Sequence, residues 1–387
     1  MKRSTDRILT THVGSLARPK DLLDIMDAKL HGKPYDVGAY ARRVRSAVAE
    51  IVRKQVASGV DIVTDGEQGK ASFNAYVAER LTGFEPTSAE ERMRGRLRTK
   101  EAQAFPEYYE KYFAEHMCGV GPNHQLVCTG PVTYKGQKEV LTDIETLKAA
   151  LVGLKPEEVF MPAIAPGFWS NKYYPTEQEF QYALGEALRV EYIAIVDAGF
   201  ILQIDDPSLT RLYRADPSLS IEERRQDAEM YIEALNHALR GLPPEKVRYH
   251  TCYGINEGPR IFDTPLKDLV DLMLKVNAGA YSFEAANARH EHEWHVWEDV
   301  KLPDGKVLIP GVITHASNIV EHPELIAERI TNFAKLVGRE NVIAGGDCGF
   351  SSQATYTPEV HPTVVWTKFQ AMAEGAQLAT NKLWQRD

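Results

Sequence analysis

Short apolar runs alternate along the chain with longer segments in which apolar residues recur every three or four positions. This alternation is typical of an α/β protein with a parallel sheet. The apolar runs predict strands at positions 8–13, 60–64, 126–132, 200–204, 247–252, 280–283, 307–312 and 342–345. Eight strands with intervening helices favour a (β/α)8 barrel. An open doubly wound sheet is the competing architecture, but the glycine-rich phosphate-binding motifs of its nucleotide-binding versions do not occur.

The segments between these strands carry helix signals. Apolar residues spaced i, i+4, i+7 and i+8 predict helices through 44–56 and 180–192. Ser220 and Glu223 have the spacing of a capping box, which predicts that a helix begins at this point. Pro323 suits the first turn of a later helix, because proline needs no hydrogen-bonded N–H there.

Two stretches interrupt the alternation. Positions 68–125 are polar and helical and include the charged run 90–96, and positions 134–178 include the proline-rich run 161–169. Proline is disfavoured inside a central strand, so we do not expect a barrel strand in the second stretch. We predict one single-domain barrel over 1–387, with long βα insertions at about 68–125 and 134–178. These insertions either cover the mouth of the barrel or lie on the surface as solvated loops.

Composition narrows the class of protein. Of the 387 residues, 43% are hydrophobic and 26% are charged, which excludes a wholly disordered chain. The net charge of −9 argues against a nucleic-acid or anionic-membrane partner. No apolar run is long enough for a transmembrane helix, and the N-terminus lacks a signal-peptide core. Four cysteines are too few for a disulfide scaffold, so a reducing, cytoplasmic location is expected.

Reactive side chains follow the predicted strands, where a barrel of this kind keeps its active site. They occur in Gly14-Ser15, Asp65-Gly66-Glu67, Gly130-Pro131-Val132-Thr133, Asp205-Asp206, His250-Thr251-Cys252, Glu284, His315 and Asp347-Cys348-Gly349. Carboxylates, imidazoles and thiols at strand ends rarely serve a hydrophobic core. This set predicts a reactive site at one end of the barrel.

Four of these residues suit a metal ion. His250 and Cys252 are two apart on a strand and therefore point to the same side. Glu284 and Cys348 follow other strands, and together the four supply one nitrogen, one oxygen and two sulfurs, all of which zinc accepts. The alternative is that these are unrelated polar residues and two buried thiols. The remaining cysteines, at 118 and 128, are interpreted as structural.

The order of these motifs resembles that of the catalytic C-terminal barrel of cobalamin-independent methionine synthase, from residue 8 to about 355. The matching segments are Val13-Gly14-Ser15, Asp65-Gly66-Glu67, Gly130-Pro131-Val132-Thr133, Gln203-Ile204-Asp205-Asp206-Pro207, His250-Thr251-Cys252-Tyr253, Ser282-Phe283-Glu284, Pro310-Gly311-Val312 with His315, and Asp347-Cys348-Gly349. The family's archaeal type also consists of a single barrel. The resemblance implies a zinc-dependent methyltransferase that converts homocysteine to methionine with a methyltetrahydrofolate-type donor.

The resemblance also assigns roles to residues. It implies a catalytic zinc bound by His250, Cys252, Glu284 and Cys348. It implies that Ser15, Glu67 and Asp205 hold the amino-acid part of homocysteine. His315 is implied to lie beside the reacting centre, where it could protonate the leaving group, and Asp347 could hydrogen-bond around the metal.

Other functions stay open at this stage. One is a zinc-dependent thiol alkyltransferase that uses another electrophile or thiol, similar to the epoxyalkane:coenzyme M transferases. Another is a non-catalytic zinc-binding protein, for which the histidine- and tryptophan-rich segment 290–297 is the one positive feature. We interpret that segment as a solvated or partner-facing loop with packing tryptophans, and a second metal site there is the less favoured alternative.

The chain departs from the family in the donor region. It has no room for the N-terminal barrel that helps the full-length enzymes bind the polyglutamate tail of the folate. Tyr134 and Lys135 follow the Gly130-Pro131-Val132-Thr133 motif, without the tryptophan that family enzymes place against the pterin. Trp169 could replace it if the run 161–169 folds over the barrel mouth.

Overall fold

Parallel pairing of short strands builds an eight-stranded sheet in the computed structural model of the chain, in the order β1-β11-β10-β9-β8-β7-β5-β2. The strands are β1 Leu9–Thr10, β2 Ile62–Val63, β3 Phe84–Pro86, β4 Leu126–Cys128, β5 Glu158–Ile164, β6 Ser170–Asn171, β7 Ile201–Asp205, β8 Val247–Thr251, β9 Ala280–Phe283, β10 Val307–Ile313 and β11 Ile343–Gly346. A parallel bridge from Thr11 to Ile62 joins the two edges of the sheet. The predicted (β/α)8 barrel is therefore confirmed.

The structure describes residues 1–88, 90, 95, 97, 99–115, 119–121, 125–167, 169–211, 220–254 and 258–385. Within them the α-helices are Lys20–Leu30, Val37–Ala57, Val77–Arg80, Lys100–Ala104, Pro106–Glu115, Gln137–Ala150, Glu177–Asp197, Ile221–Leu239, Val270–Met273, Val296–Asp299, Pro323–Val337 and Pro362–Trp384. Cys118 and most of the charged run 90–96 lie outside the described residues. No helix among those described is long and apolar enough to cross a membrane.

The sequence signals for helices agree with these bounds. The Ser220 hydroxyl accepts a hydrogen bond from the Glu223 N–H at 3.2 Å, and the Glu223 carboxylate accepts one from the Ser220 N–H at 2.8 Å. This capping box satisfies two N–H groups that the first helical turn leaves without partners. Pro323 opens its helix as expected, and Gly338 ends it with a φ of 90°.

The barrel interior is apolar at its lower end and carries polar and charged side chains above that end. Its lower end is filled by one apolar cluster drawn from seven of the eight strands of the sheet: Leu9, Ile62, Phe160, Ile201, Ala280, Val307, Ile309 and Ile343. Above this cluster, the buried Arg248 guanidinium lies 3.4 Å from the Phe160 ring centroid and donates to Gln203 at 2.6 Å. Reactive side chains further up thus rest on a packed floor.

The prediction that positions 126–132 form a strand of the barrel is wrong. Leu126–Cys128 pairs with β3 and β6 in a small separate sheet, and the third barrel position along the chain belongs to Glu158–Ile164, which includes Pro162. Pro162 is tolerated because β2 pairs with β5 only as far as Val159. The N–H and C=O of one residue in a parallel strand face the same neighbour. The Pro162 carbonyl accepts from Lys70 on the side that β2 has left, so no sheet bond is lost there.

The buried His12 makes the stability of the fold depend on pH. Its Nδ1 accepts from the Gly14 N–H at 3.2 Å, and its Nε2 lies 2.8 Å from the Gln55 side-chain oxygen. Burial lowers the pKa of His12 from 6.5 to about 4. The unfolded chain therefore binds a proton between these pH values that the folded chain does not, and stability is lost as the pH falls through this window.

We expect His12 to cost on the order of 3 kcal/mol of unfolding free energy between about pH 6.5 and 4. In His12→Gln, whose side chain cannot titrate, the free energy of unfolding measured with urea should fall less steeply as the pH is lowered across this range. The exposed His292, changed to Gln, serves as a control and should follow the parent chain. Parallel curves for His12→Gln and the parent would contradict the assignment.

Candidate functional site

All eight residues predicted from the strand ends are buried at the carboxyl end of the barrel. They are Ser15, Glu67, Asp205, His250, Cys252, Glu284, His315 and Cys348. His250 lies in β8 with Cys252 just after it, Glu284 directly follows β9, and Cys348 comes two residues after β11. Parallel strands place their carboxyl ends at one rim, so residues far apart in sequence meet there.

Three of the four predicted metal ligands converge. The ligand atoms of His250, Cys252 and Cys348 all lie within 4.8 Å of one another. His250 Nδ1 is hydrogen-bonded to the Ser282 hydroxyl at 3.0 Å, which fixes the ring. His250 Nε2 is buried without a hydrogen-bond partner among the described residues. A fixed imidazole with an unpartnered nitrogen beside two thiols fits a metal site.

The two thiols influence each other. The adjacent Cys348 thiol holds the pKa of Cys252 well below its usual value, and His250 acts in the same direction. Conversely, Cys252 and burial raise the pKa of Cys348 well above its usual value. A metal ion would stabilise both sulfurs as thiolates.

Glu284 lies in a different group. One of its oxygens belongs to a cluster with His315 and Asp347 whose ligand atoms lie within 4.8 Å of one another. Its Oε1 accepts from the Tyr253 N–H at 2.8 Å, and its Oε2 accepts from Arg260 at 2.6 Å. Burial would raise the pKa of Glu284, but Arg260 and neighbouring histidines lower it overall. Glu284 is therefore an ionised carboxylate with partners of its own.

Asp347 fixes the loop that follows Glu284. Its Oδ1 accepts from the N–H groups of Ala285 and Ala286 at 2.8 and 2.7 Å. Gly311 permits this close approach, because a Cβ atom there would lie 2.0 Å from the same oxygen. Asp347 thus positions the chain beside the metal-binding group.

A cavity of about 710 Å³ opens above this group. Ser15, Glu67 and Asp205 line it together with His250 and the two thiols. Burial raises the pKa of Asp205 to about 7 and raises the pKa of Glu67 as well. Glu67 Oε2 is buried without a hydrogen-bond partner in the described part of the chain. These two carboxyl groups suit a cationic group on a ligand.

Aromatic residues from both predicted insertions line the same cavity. Tyr109 and Phe113 come from the first insertion and Trp169 from the second. Trp169 is buried and packs against Phe84 with ring centroids 5.5 Å apart. The run around Trp169 thus reaches the cavity and adds an apolar surface to its lining.

His315 does not line the large cavity. Its Nε2 lies 3.3 Å from the Gly254 carbonyl, and its Nδ1 is buried without a hydrogen-bond partner among the described residues. It borders a separate cavity of about 20 Å³. The structure places it beside Glu284 and Asp347, and its role as a general acid stays a prediction.

Sequence reasoning missed two buried cations. Arg260 donates to both Glu284 and Asp263, and Lys70 donates to the Pro162 carbonyl at 2.8 Å. Arg260 lies in a loop without periodicity, so no sequence pattern marked it. Its backbone has a φ of 56°, in the left-handed region that most side chains avoid.

The interpretation of 290–297 as a solvated loop is wrong for its key residues. His290 is buried, stacks on Tyr253 with ring centroids 4.0 Å apart and bonds to Glu293 at 2.8 Å. Trp297 is also buried and stacks on Phe283, so the expectation of a packing tryptophan is confirmed. Buried and exposed residues alternate along this short helical segment, so one face packs against the barrel and the other faces solvent.

Comparisons with known proteins agree with this architecture. A methionine synthase of Sulfolobus acidocaldarius is 24% identical over 343 residues, covering 88% of this chain and 85% of that protein. One of Saccharolobus islandicus is 25% identical over 376 residues, covering 97% of this chain and 95% of that protein. A solved B12-independent methionine synthase from Shewanella sp. W3-18-1, in complex with selenomethionine, superposes with a TM-score of 0.73 at 18% identity, covering 98% and 99% of the two chains. No family model matches the chain.

The resemblance to methionine synthases seen in the motifs is thus confirmed by relatives that span most of the chain. The prediction of an enzyme of the methyltransferase class is confirmed by the same relatives. The solved structure adds support for the fold alone.

We expect the converging group to bind about one thiophilic metal ion per chain. Titration with cobalt(II) should produce thiolate-to-metal absorption bands, which Cys252→Ser and Cys348→Ala should abolish. Cys128→Ser is the matched control, because Cys128 is equally buried but lies in the small sheet. Unchanged cobalt bands in Cys348→Ala would contradict the site.

Proposed function

We propose that this relative of the methionine synthases is a zinc-dependent methyltransferase that methylates homocysteine to form methionine. The observation that carries the proposal is the convergence of His250, Cys252 and Cys348 within 4.8 Å, beneath a cavity whose lining includes the buried carboxyl groups of Glu67 and Asp205. One end of that cavity thus suits a thiol, and the side next to it suits an ammonium group.

Zinc fits the donors present. One imidazole nitrogen and two sulfurs are ligands that zinc binds in tetrahedral sites, and Glu284 is the predicted oxygen ligand beside them. When bound, zinc would keep an incoming thiol ionised and nucleophilic at neutral pH. A site with two thiolates donates electron density, which preserves the reactivity of a third sulfur.

Glu67 and Asp205 select the amino-acid end of the substrate. An ammonium group between them would ionise both, because a nearby cation favours the charged form of a carboxyl group. Ser15 lies at the same wall and suits the substrate carboxylate, which its hydroxyl can hydrogen-bond. A sulfonate thiol lacks the ammonium group and would face two carboxylates, so we favour homocysteine over a coenzyme M-type acceptor.

The transfer step balances with a methylated nitrogen as donor. The substrate sulfur attacks the methyl carbon, an S–C bond forms, and the C–N bond breaks with its electron pair moving to nitrogen. That nitrogen then takes a proton. Because His315 does not line the large cavity, we propose that it supplies this proton through an intervening water. Trp169, Phe113 and Tyr109 supply an apolar surface for a flat donor of the methyltetrahydrofolate type. Because two free thiols must stay reduced, we place this activity in the cytoplasm.

The proposed methyl transfer can be measured directly. Zinc-loaded protein is given homocysteine, glutathione or 2-mercaptoethanesulfonate, with methyltetrahydrofolate carrying one or three glutamates, and products are measured by mass spectrometry. Methionine should form with homocysteine alone among the thiols. If zinc binds but no thiol is methylated by any donor, the chain is a zinc-binding protein without this activity.

Asp205→Asn should weaken homocysteine binding roughly tenfold or more, since a charged hydrogen bond is lost. Zinc affinity should change by less than about threefold, because Asp205 is not among the converging ligands. Calorimetry measures the first and chelator competition the second. Asp206→Asn is the control, because the neighbouring Asp206 carboxylate is already bonded to Tyr249 at 2.7 Å. Equal loss of both affinities would place Asp205 in the metal site.

His315→Gln should lower kcat roughly 100-fold with a nitrogen donor, while KM for homocysteine stays nearly constant. A methylsulfonium donor releases a neutral thioether that needs no proton, so the loss with that donor should be small. Steady-state kinetics with both donors make the comparison, and zinc content checks that the site is intact. Equal losses with both donors would show that His315 has only a structural role.

A further inference from the structure

We infer that the large cavity also accepts a cationic methyl donor of the methylsulfonium class, at a cation subsite formed by Glu101 and the aromatic residues Tyr109, Phe113 and Phe262. The inference goes beyond the proposed function by adding a second class of donor for the same thiol. It rests on that function, because the thiol must be activated before either donor can react. Glu101 belongs to the first insertion and not to the converging group of imidazole and thiols.

Glu101 is a buried carboxyl group on the wall of the cavity that still has an oxygen to offer. It lies in the helix Lys100–Ala104, lines the cavity and is 6% exposed. Its Oε1 accepts a hydrogen bond from the Ile261 N–H at 2.8 Å, whereas its Oε2 is buried without a hydrogen-bond partner among the described residues. Burying a carboxyl group without a cation is costly, so a positively charged ligand would offset that cost.

Aromatic residues accompany Glu101 on both of the segments that it joins. On its own segment, Ala102 packs with Tyr109 and Phe113 in one buried cluster, and both of these rings line the cavity. On the other segment, Phe262 directly follows Ile261 and lines the cavity as well. The face of an aromatic ring is negative and attracts cations, including onium cations that have no N–H to donate. A carboxyl group beside such rings therefore suits an onium cation.

The charge of the cavity favours a cation over an anion. Four carboxyl groups line it, those of Glu67, Glu101, Asp205 and Asp206. Lys100 is the one lysine or arginine in the described part of this lining, and it is half-exposed. In the proposed function the ammonium group of homocysteine lies at Glu67 and Asp205, which leaves Glu101 for a second cation. Because the second ligand must deliver a methyl group, we assign it to the methylated onium cations.

Methyl transfer from a sulfonium ion balances without a proton. The substrate thiolate attacks the methyl carbon, an S–C bond forms, and the bond from that carbon to the sulfonium sulfur breaks with its electron pair moving to the leaving sulfur. The negative charge of the thiolate and the positive charge of the sulfonium ion cancel, and the leaving group is a neutral thioether. His315, which does not line the cavity, is not required for this reaction.

The loss of charge during the reaction sets the kinetic role of Glu101. Its carboxyl group attracts the bound sulfonium ion fully, but it attracts the transition state less, because part of the positive charge has already gone. Such an interaction lowers KM without raising kcat. The neutral thioether no longer has this attraction and is released.

The test gives zinc-loaded protein saturating homocysteine and trimethylsulfonium with deuterated methyl groups, and deuterated methionine is measured by mass spectrometry. Calorimetry with tetramethylammonium, a less reactive cation of similar shape, measures binding separately. The variant is Glu101→Gln, whose side-chain oxygen can still accept from the Ile261 N–H. Glu107→Gln is the matched control, since Glu107 is an exposed carboxyl group of the same insertion and does not line the cavity.

Glu101→Gln should raise the KM for trimethylsulfonium and the Kd for tetramethylammonium roughly tenfold, while kcat changes by less than about threefold. The KM for methyltetrahydrofolate should fall instead, because a group that repels its glutamate carboxylate is removed. Glu107→Gln should match the parent in all of these measurements. A merely structural Glu101 would shift the KM for both donors in the same direction.

The inference is overturned if the parent forms methionine from methyltetrahydrofolate but no deuterated methionine from trimethylsulfonium, and the proposed function then stands. Equal KM values for trimethylsulfonium in the parent and in Glu101→Gln would also overturn it, because the cation would then bind elsewhere. If no donor methylates the thiol, the proposed function fails. Equal tetramethylammonium affinities in the parent and in Glu101→Gln would in that case remove the cation subsite as well.

Discussion

Buried negative charge is the constraint on which the site depends. The carboxyl ends of the strands bring thiols and carboxyl groups into a space that excludes most water, where an unpaired charge is expensive. The chain compensates for part of this set, since Arg260 pairs with Glu284 and two backbone N–H groups bind Asp347. Among the described residues, no cation is hydrogen-bonded to the site thiols or to the carboxyl groups of Glu67 and Asp205. These remaining groups are the ones that the proposed metal ion and the proposed substrate ammonium group would neutralise.

The barrel makes this concentration of charge tolerable by separating two layers. The lower interior is a closed apolar cluster, and the Arg248 guanidinium above it lies over Phe160 and bonds to Gln203. The rim therefore does not have to provide the hydrophobic burial that stabilises the fold. Reactive groups on loops after the strands can be strained or incompletely paired, as the backbone conformations of Glu67 and Arg260 illustrate.

Relatives at 24% and 25% identity align with most of the chain. Sequence divergence of that size leaves the fold intact while the insertions over the barrel mouth can change. In this chain those insertions contribute the aromatic wall formed by Tyr109, Phe113 and Trp169. The proposed thiol-binding floor is built from strand ends, whereas the proposed donor wall is built from inserted segments.

The sequence by itself determined the barrel and which residues gather at its rim, because the strand period and the position of a strand end are local properties. The i, i+2 spacing of His250 and Cys252 was enough to place them on one side. Only the tertiary structure decided that Pro162 sits in a barrel strand, because its tolerance depends on where the neighbouring strand stops. It also decided that Glu284 binds Arg260, since this pairing depends on distances between loops that no spacing in the chain encodes.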